Sequence, residues 1–188
     1  PLHILANALF QSVTSRTAGF NTVPIGSLST PALLVLGMLM FIGGSPASCA
    51  GGIKTTSVAA WYAQLRAWLT GRRDVILMGR RLPGEIVARA GMIIGLGVIW
   101  IAVGSIVLTV LESGRTGMSF ERLLFEQVSA FGTVGLSTGI TSSLTAGSRI
   151  WIILSMFVGR IGPLAFAMVI SQQETDYVRY PEEHLMVG

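Results

Sequence analysis

Apolar residues fall into runs of two lengths along this chain. Residues 90–111 carry no charged side chain, and their length matches the roughly 20 apolar residues that a helix needs to cross a bilayer. The runs at 2–15, 32–42 and 120–131 are too short to cross. The pattern therefore predicts one complete spanning helix over 90–111, a second over 150–170 that returns across the membrane, and half-length helices elsewhere.

The apolar run that ends at Ile42 breaks into small and polar residues with a proline, FIGGSPASCAGGIKTT over 41–56. Gly, Ser and Pro all disfavour the interior of a helix. Irregular backbone at membrane depth is tolerated only where it is buried in protein or lines a watery cavity. We therefore interpret residues 43–55 as a loop inside a permeation pathway.

The chain also repeats itself. Sliding it by the separation of Thr17 and Thr133 aligns two units without a gap, and the identical pairs include Gln11 with Gln127, Gly19 with Gly135, Thr22 with Thr138 and Gly43 with Gly159. Each unit reads as a half-length helix, a Thr-x-Gly-x-x-Thr turn, a connector and a second helix. Helix, pore loop and helix is the plan of a cation channel.

The two turns, TAGFN and TVGLS, have the composition of a selectivity filter, in which backbone carbonyls replace the hydration shell of a monovalent cation. Glycine freely adopts the backbone angles that such a turn requires. Each half-length helix would also aim the partially negative end of its dipole at the ion. The predicted ion-binding residues are Thr17, Ala18, Gly19, Phe20, Asn21, Thr133, Val134, Gly135, Leu136 and Ser137.

Composition agrees with a membrane protein. Hydrophobic residues make up 51% of the chain and charged residues 12%, with mean hydropathy +0.67, whereas a soluble domain carries about 25% charged residues. The arginines concentrate in the loop 71–89, which predicts a cytoplasmic loop by the positive-inside rule. The net charge of +4 therefore reports topology, and we expect no nucleic-acid partner. The single cysteine, Cys49, and two histidines offer no disulfide within the chain and no metal cluster.

Two cations lie at unusual depth. Arg160 interrupts an apolar span, where an unpaired charge costs about 2.5–3.5 kcal/mol on insertion scales. We expect it to face the protein interior and the carbonyls of residues 43–52, either to restrain the loop as a gate or simply to satisfy those carbonyls. Lys54 closes the same loop, as part of the gate or as a cation that reaches the interface.

The chain contains the segments SRTAGFNT, FIGGSPASCAGGIKTT, MGRRLP, AFGTVGLSTG and MFVGRIGP. Through these segments it resembles, over essentially its whole length, the Ktr/Trk/HKT superfamily of K⁺ transport proteins. The tail VRYPEEHLMVG makes the chain more similar to the KtrB-type membrane subunits. The resemblance implies an all-α integral membrane protein with four helix–pore loop–helix repeats around one pore. Residues 1–70 would be the third repeat without its first helix, 71–89 the basic loop, 90–170 the fourth repeat and 171–188 a cytoplasmic tail. We therefore interpret the chain as a C-terminal part of a longer one.

The resemblance also implies the filter residues named above and a gate that includes Arg160. The gating loop would comprise Gly43, Gly44, Ser45, Pro46, Ala47, Ser48, Cys49, Ala50, Gly51, Gly52 and Lys54, with Ala47 and Cys49 departing from the expected Gly and Ser or Thr. It further implies a homodimer in the bacterial inner membrane, with outward filters, a cytoplasmic C-terminus and a cytosolic RCK-type subunit that senses nucleotides. K⁺ would be carried without an organic cofactor, and Na⁺ or mixed conduction is the alternative.

Two other classes of protein fit the sequence less well. The segment AGGIKTT is similar to a nucleotide-binding P-loop, but that motif requires Gly directly before Lys, where this chain has Ile53. No nucleophile–base pattern indicates an enzyme. A non-conducting membrane scaffold would not need two filter-like turns.

Overall fold

The computed structural model describes residues 2–46, 48, 50–72, 74–162 and 165. Over these residues the chain is mostly helical, as predicted, with one small hairpin. The helices are α1 (Leu2–Thr14), α2 (Thr30–Phe41), α3 (Thr55–Leu69), α4 (Gly84–Leu111), α5 (Phe120–Phe131) and α6 (Ala146–Ile161). The tail 171–188 and most of the second half of the helix predicted over 150–170 lie outside the described residues.

Corresponding elements of the two units begin at the same spacing. Single 3-10 turns occupy the connectors at Ile25–Ser27 and Thr141–Ser143, and α2 and α6 start at Thr30 and Ala146. In each pair, the two starting residues are as far apart in the sequence as Thr17 and Thr133. Helix α2 ends at Phe41, directly before Gly43 and Gly44, whereas α6 continues to Ile161.

Helix α4 is the one helix of the described chain that is long and apolar enough to cross a membrane by itself. It begins at Gly84, earlier than the apolar run at residue 90, because Pro83 and Glu85 favour a helix start that hydropathy does not register. Its apolar side chains, including Ile99, Ile106 and Val110, are exposed along much of its length. Soluble monomers rarely leave so large an apolar surface uncovered.

The basic loop before α4 contains a hairpin that the sequence did not predict. Ile76–Leu77 pairs antiparallel with Arg80–Arg81, and the turn residues Met78 and Gly79 have φ of 49° and 77°. Two positive φ values in a two-residue turn match the twist of the flanking strands. An exposed ion pair joins Arg81 to Asp74 at 3.0 Å and contributes little to stability.

Helix α5 lies at the centre of the fold, packed by α2, α4 and α6. Its Gln127 is fully buried; the amide donates to the hydroxyl of Ser155 at 3.1 Å and accepts from the indole N–H of Trp151 at 3.1 Å. Gly104 of α4 lies directly against this amide, where a larger side chain would collide. The ring of Trp151 stacks on Trp100 of α4 at 5.4 Å. These contacts hold α4, α5 and α6 in one arrangement, so the C-terminus of α5 has a defined position.

The N-terminus of α6 is capped by a buried carboxylate. Glu112, 2% exposed, accepts hydrogen bonds at Oε1 from the backbone N–H and hydroxyl of Thr145, each at 2.8 Å, and from the hydroxyl of Ser148 at 2.6 Å. Arg115 donates to Oε2 at 3.0 Å. Burial raises the pKa of Glu112, but the hydrogen bonds from Ser148 and Thr145 and the charge of Arg115 outweigh it, so the pKa lies below its ordinary value.

Because the pKa of Glu112 is lowered in the folded state, this carboxylate stabilises the fold at neutral pH. That stabilisation is expected to disappear as the pH falls below the ordinary glutamate value of about 4.3, through the lower pKa of the folded state. Glu112→Gln should lower the free energy of unfolding at neutral pH by about 1–3 kcal/mol and flatten the acid side of the stability profile. Thermal unfolding of the full-length protein in detergent between about pH 2 and 7 measures both. Exposed Glu85 provides the control: an equal loss in Glu85→Gln would contradict a specific role of Glu112.

Candidate functional site

The two predicted filter turns have the same unusual backbone. Thr17 and Thr133 have φ of 67° and 50°, and Gly19 and Gly135 have φ of 77° and 91°. A positive φ is a genuine outlier for a β-branched residue such as threonine. Such strain persists only where the surrounding structure imposes it, and it concentrates at functional sites. Both turns therefore share the same strained backbone at equivalent positions of the repeat.

The two turns lie side by side, although they are far apart in sequence. A Cβ atom on Gly19 would collide with the carbonyl oxygen of Val134, and one on Gly135 would lie 3.9 Å from the Cα atom of Gly19. The hydroxyl of Thr17 is 3.5 Å from the carbonyl oxygen of Gly132. The structure thus brings the predicted residues of both turns together at one place.

Each turn is tied back to the helix that precedes it. The hydroxyl of Thr14 donates to the carbonyl of Phe20 at 2.6 Å, and the hydroxyl of Ser129 donates to the carbonyl of Leu136 at 2.6 Å. Phe20 and Leu136 are equivalent positions in the repeat. Each of these two carbonyls keeps one lone pair for another partner.

The turns differ in burial. Ala18, Phe20 and Asn21 are exposed on the described chain, whereas Val134 and Leu136 are buried against α2 and α5. The amide of Asn21 makes one local contact, with the carbonyl of Val23 at 3.4 Å. The second turn is thus the more tightly packed of the two.

A buried acid behind the second turn was missed by the sequence analysis. Glu126 of α5 is 6% exposed, and its carboxylate contacts Ser137, Thr138 and Thr141. The available signal was an acidic residue in the middle of a short, deeply placed helix, because ionisable residues at membrane depth are functional candidates by default.

The segment between α2 and α3 is irregular and partly buried, as predicted for residues 43–55. Ile42 and Ile53 form an isolated parallel bridge, and Gly43 N–H donates to the carbonyl of Ile53 at 2.8 Å. The carbonyl of Gly44 accepts from Thr55 N–H at 3.2 Å. These bonds satisfy backbone groups of a loop that is neither helix nor sheet. Two of the predicted gating residues, Ala47 and Cys49, lie outside the described residues.

This loop contacts both the second turn and α6. Gly51 N–H donates to the hydroxyl of Thr133 at 3.0 Å, and Gly52 N–H donates to the carbonyl of Gly159 at 3.2 Å. Lys54 donates to the carbonyls of Ala50 at 2.5 Å and Ser48 at 3.3 Å. The lysine therefore binds the loop carbonyls.

Arg160 follows Gly159 in the last turn of α6. Its side chain is exposed on the described chain, whereas the apolar span around it predicts that it faces the interior. One contact between α6 and the loop is the hydrogen bond from Gly52 N–H to the carbonyl of Gly159.

The fold is similar to that of a solved membrane transporter. It matches the crystal structure of the potassium transporter TrkH from Vibrio parahaemolyticus with a TM-score of 0.67 and 22% identity, over 88% of this chain and 36% of that one. The described chain therefore has the fold of part of a helical membrane transport protein.

Sequence comparison identifies the family. The sequence model of TrkH, described as cation transport protein, matches residues 3–178, and this chain belongs to that family. It is 36% identical to Ktr system potassium uptake protein B of Bacillus subtilis over 190 residues, which is 100% of this chain and 42% of the relative. It is also 36% identical to the potassium/sodium uptake protein NtpJ of Enterococcus hirae, over 98% of this chain and 42% of that protein. The chain thus spans about two fifths of the length of these relatives.

Proposed function

We propose that this chain is part of the K⁺-translocating membrane subunit of a K⁺ uptake system, and that the ion passes along the carbonyls of residues 17–21 and 133–137. One observation carries the proposal: two turns with the same strained φ pattern lie in contact at equivalent positions. The names of the Bacillus and Enterococcus relatives support potassium as the ion.

The backbone pattern has a chemical reason. In an extended strand successive carbonyls point to opposite sides, whereas left-handed residues at Thr17 and Gly19, and again at Thr133 and Gly135, favour carbonyls on one side. A row of carbonyls on one side can replace the hydration shell of K⁺ without a charged ligand. The C-termini of α1 and α5 precede the turns and add partial negative charge.

The proposed gate is the loop of residues 43–55 with Lys54 and Arg160. Lys54 holds loop carbonyls, Gly51 contacts the Thr133 hydroxyl, and Gly52 contacts Gly159 beside Arg160. A change in the loop therefore acts directly on the second turn. The loop crosses the end of the predicted pathway, and its glycines pack so closely that a Cβ atom at Gly43 or Gly51 would collide with a neighbour.

The remaining proposals follow the resemblance to Ktr subunits. Residues 1–70 and 90–170 would be the third and fourth repeats of a multi-pass subunit, with 71–89 and 171–188 on the cytoplasmic side and the filter outward. The subunit would form a homodimer in the bacterial inner membrane and bind a cytosolic RCK-type partner that senses nucleotides. The exposed arginines beside the hairpin offer a basic surface on the cytoplasmic side.

Na⁺ or mixed conduction is the second candidate function. The Enterococcus relative, as similar as the Bacillus one, is named for both potassium and sodium. The preference would depend on every turn of the ring, and this chain supplies two.

Gly135→Ser tests the proposed function. A Cβ atom at Gly135 would have only one neighbour within 4 Å, at 3.9 Å, so serine would fit without a collision. Its effect would come from the φ of 91°, because a side chain in that backbone conformation costs about 1–2 kcal/mol. The preference for Rb⁺ over Na⁺ is expected to fall about tenfold, measured as uptake into liposomes that hold the full-length protein. Gly117→Ser, at φ of 85° with open space, is the matched control. Selective flux that is unchanged in Gly135→Ser would mean that this turn does not line the pathway.

A further inference from the structure

We infer that Glu126 is the positioning residue that holds the second turn in its ion-binding conformation, and that the first turn has no such support. The inference rests on the proposed function. Its basis is a set of hydrogen bonds that converge on one buried side chain. Glu126 Oε1 accepts from the hydroxyl of Ser137 at 2.6 Å and from the backbone N–H of Thr138 at 2.9 Å. The hydroxyls of Thr138, at 3.3 Å from Oε1, and of Thr141, at 2.9 Å from Oε2, complete the set.

The chemistry of the partners matches a carboxylate. All four groups act as donors, and an ionised carboxylate only accepts, with about four lone-pair sites. Hydrogen bonds to a charged acceptor are shorter and stronger than neutral ones. An amide in place of the carboxylate would keep one acceptor oxygen and turn an NH₂ group towards donors. The arrangement therefore needs the glutamate itself.

Packing alone does not account for an acid at this place. A buried polar group lowers stability unless it is fully hydrogen-bonded, and apolar residues of similar volume often replace buried charges without loss. Glu126 has Phe125 and Val128 as neighbours on the same buried helix, where an apolar side chain would fit the surroundings. What the glutamate adds is a set of hydrogen bonds that joins the middle of α5 to residues 137–141.

Ser137 extends this hydrogen-bond network. Its hydroxyl donates to Glu126, accepts from Gly139 N–H at 2.9 Å, and lies 2.8 Å from the hydroxyl of Thr141. Ser129 holds the preceding carbonyl, that of Leu136, from the same helix. Two side chains of α5 thus fix consecutive residues at the end of the turn, and with them the orientation of Gly135.

The first turn lacks this support. The repeat places Phe10 at the position of Glu126, and Phe10 is 40% exposed. Thr14 holds the carbonyl of Phe20, as Ser129 holds that of Leu136. Beyond Phe20, the side-chain contacts of the first turn are longer, such as the hydroxyl of Thr22 at 3.4 Å from the side-chain oxygen of Asn7. The two turns share a backbone conformation but are held by different means, so Glu126 should affect the second turn alone.

The test compares Rb⁺ and Na⁺ uptake by the full-length protein in liposomes for wild type, Glu126→Gln and Glu121→Gln. Glu121 lies at the N-terminal end of α5, so Glu121→Gln makes the same chemical change in the same helix but away from the filter. Glu126→Gln is expected to lower the Rb⁺/Na⁺ preference about tenfold, the effect of losing one hydrogen bond to a charged group. Glu121→Gln should keep the wild-type ratio. The ratio is the decisive readout, because a purely structural role would reduce the amount of active protein without changing the preference of each molecule.

Two further variants, Thr141→Val and Ser137→Ala, keep the inference testable in the case that Glu126→Gln does not fold. Each removes one donor and keeps the carboxylate, and each should shift the ratio in the same direction. Unchanged ratios in all folded variants, beside a reduced ratio in Gly135→Ser, would overturn the inference and leave the proposed function standing. Absence of selective Rb⁺ flux in the wild type would overturn both.

Discussion

Gly19→Ala is expected to abolish selective cation uptake, with a larger effect than Gly135→Ser. A Cβ at Gly19 would overlap the backbone carbonyl of Val134, and no side-chain rotation can relieve a collision with backbone. The φ of 77° at Gly19 adds the strain of a left-handed side chain. The two turns would have to separate, which would displace the carbonyls of both. Rb⁺ uptake into liposomes, relative to wild type, measures the effect.

Gly114→Ala is the control that separates the effect of the steric collision from the effect of the positive backbone φ. Gly114 has φ of 80° and open space around its Cα atom, so alanine there meets the same backbone strain and no neighbour. It should fold and transport like the wild type, apart from a small loss of stability. Equal uptake by Gly19→Ala and Gly114→Ala would contradict the apposition of the two turns.

Gly159→Ala is expected to destabilise the whole membrane domain. Alanine normally favours a helix over glycine by about 1 kcal/mol. Here, however, the new Cβ would overlap the carbonyl of Phe131 at the end of α5, and relief requires α6 to move away. Overpacking a tight contact costs about 1–3 kcal/mol and occasionally more, so the net change is a loss. It should appear as a lower unfolding temperature in detergent and as a lower yield of folded protein.

Gly147→Ala on the same helix provides the control with the opposite sign. A Cβ at Gly147 would lie 3.6 Å from Leu111, an ordinary van der Waals contact. Helix propensity then decides, and the substitution should leave the unfolding temperature unchanged or raise it slightly. A fall in Gly147→Ala as large as that in Gly159→Ala would mean that glycine is needed along α6 for another reason.

Local patterns predicted the helices well where hydropathy and breakers coincide. The runs at 2–15 and 120–131 correspond to α1 and α5, and the glycines after Ile42 mark the irregular loop. Predictions failed where capping decided the boundary. Pro83 and Glu85 extend α4 beyond its apolar run, and Thr145, which accepts from Ser148 N–H, starts α6 earlier than residue 150.

The site was only partly readable from sequence. The two turns stood out because glycine and threonine recur at fixed positions, but their contact depends on helix packing that no local pattern encodes. Glu126 and the carbonyl contacts of Lys54 are of the same kind, since their partners follow only from the fold. The filter and gating roles, including that of Arg160, stay predictions until flux is measured.

The difference between Glu126 and Phe10 has a genetic consequence. In a channel built from identical subunits, one codon change alters every turn of the ring at once, so most changes are severe. Here each turn has its own codons within one polypeptide, and a substitution reaches a single turn. Under the proposed function, the two turns can therefore diverge separately, one substitution at a time, while the shared backbone geometry stays intact.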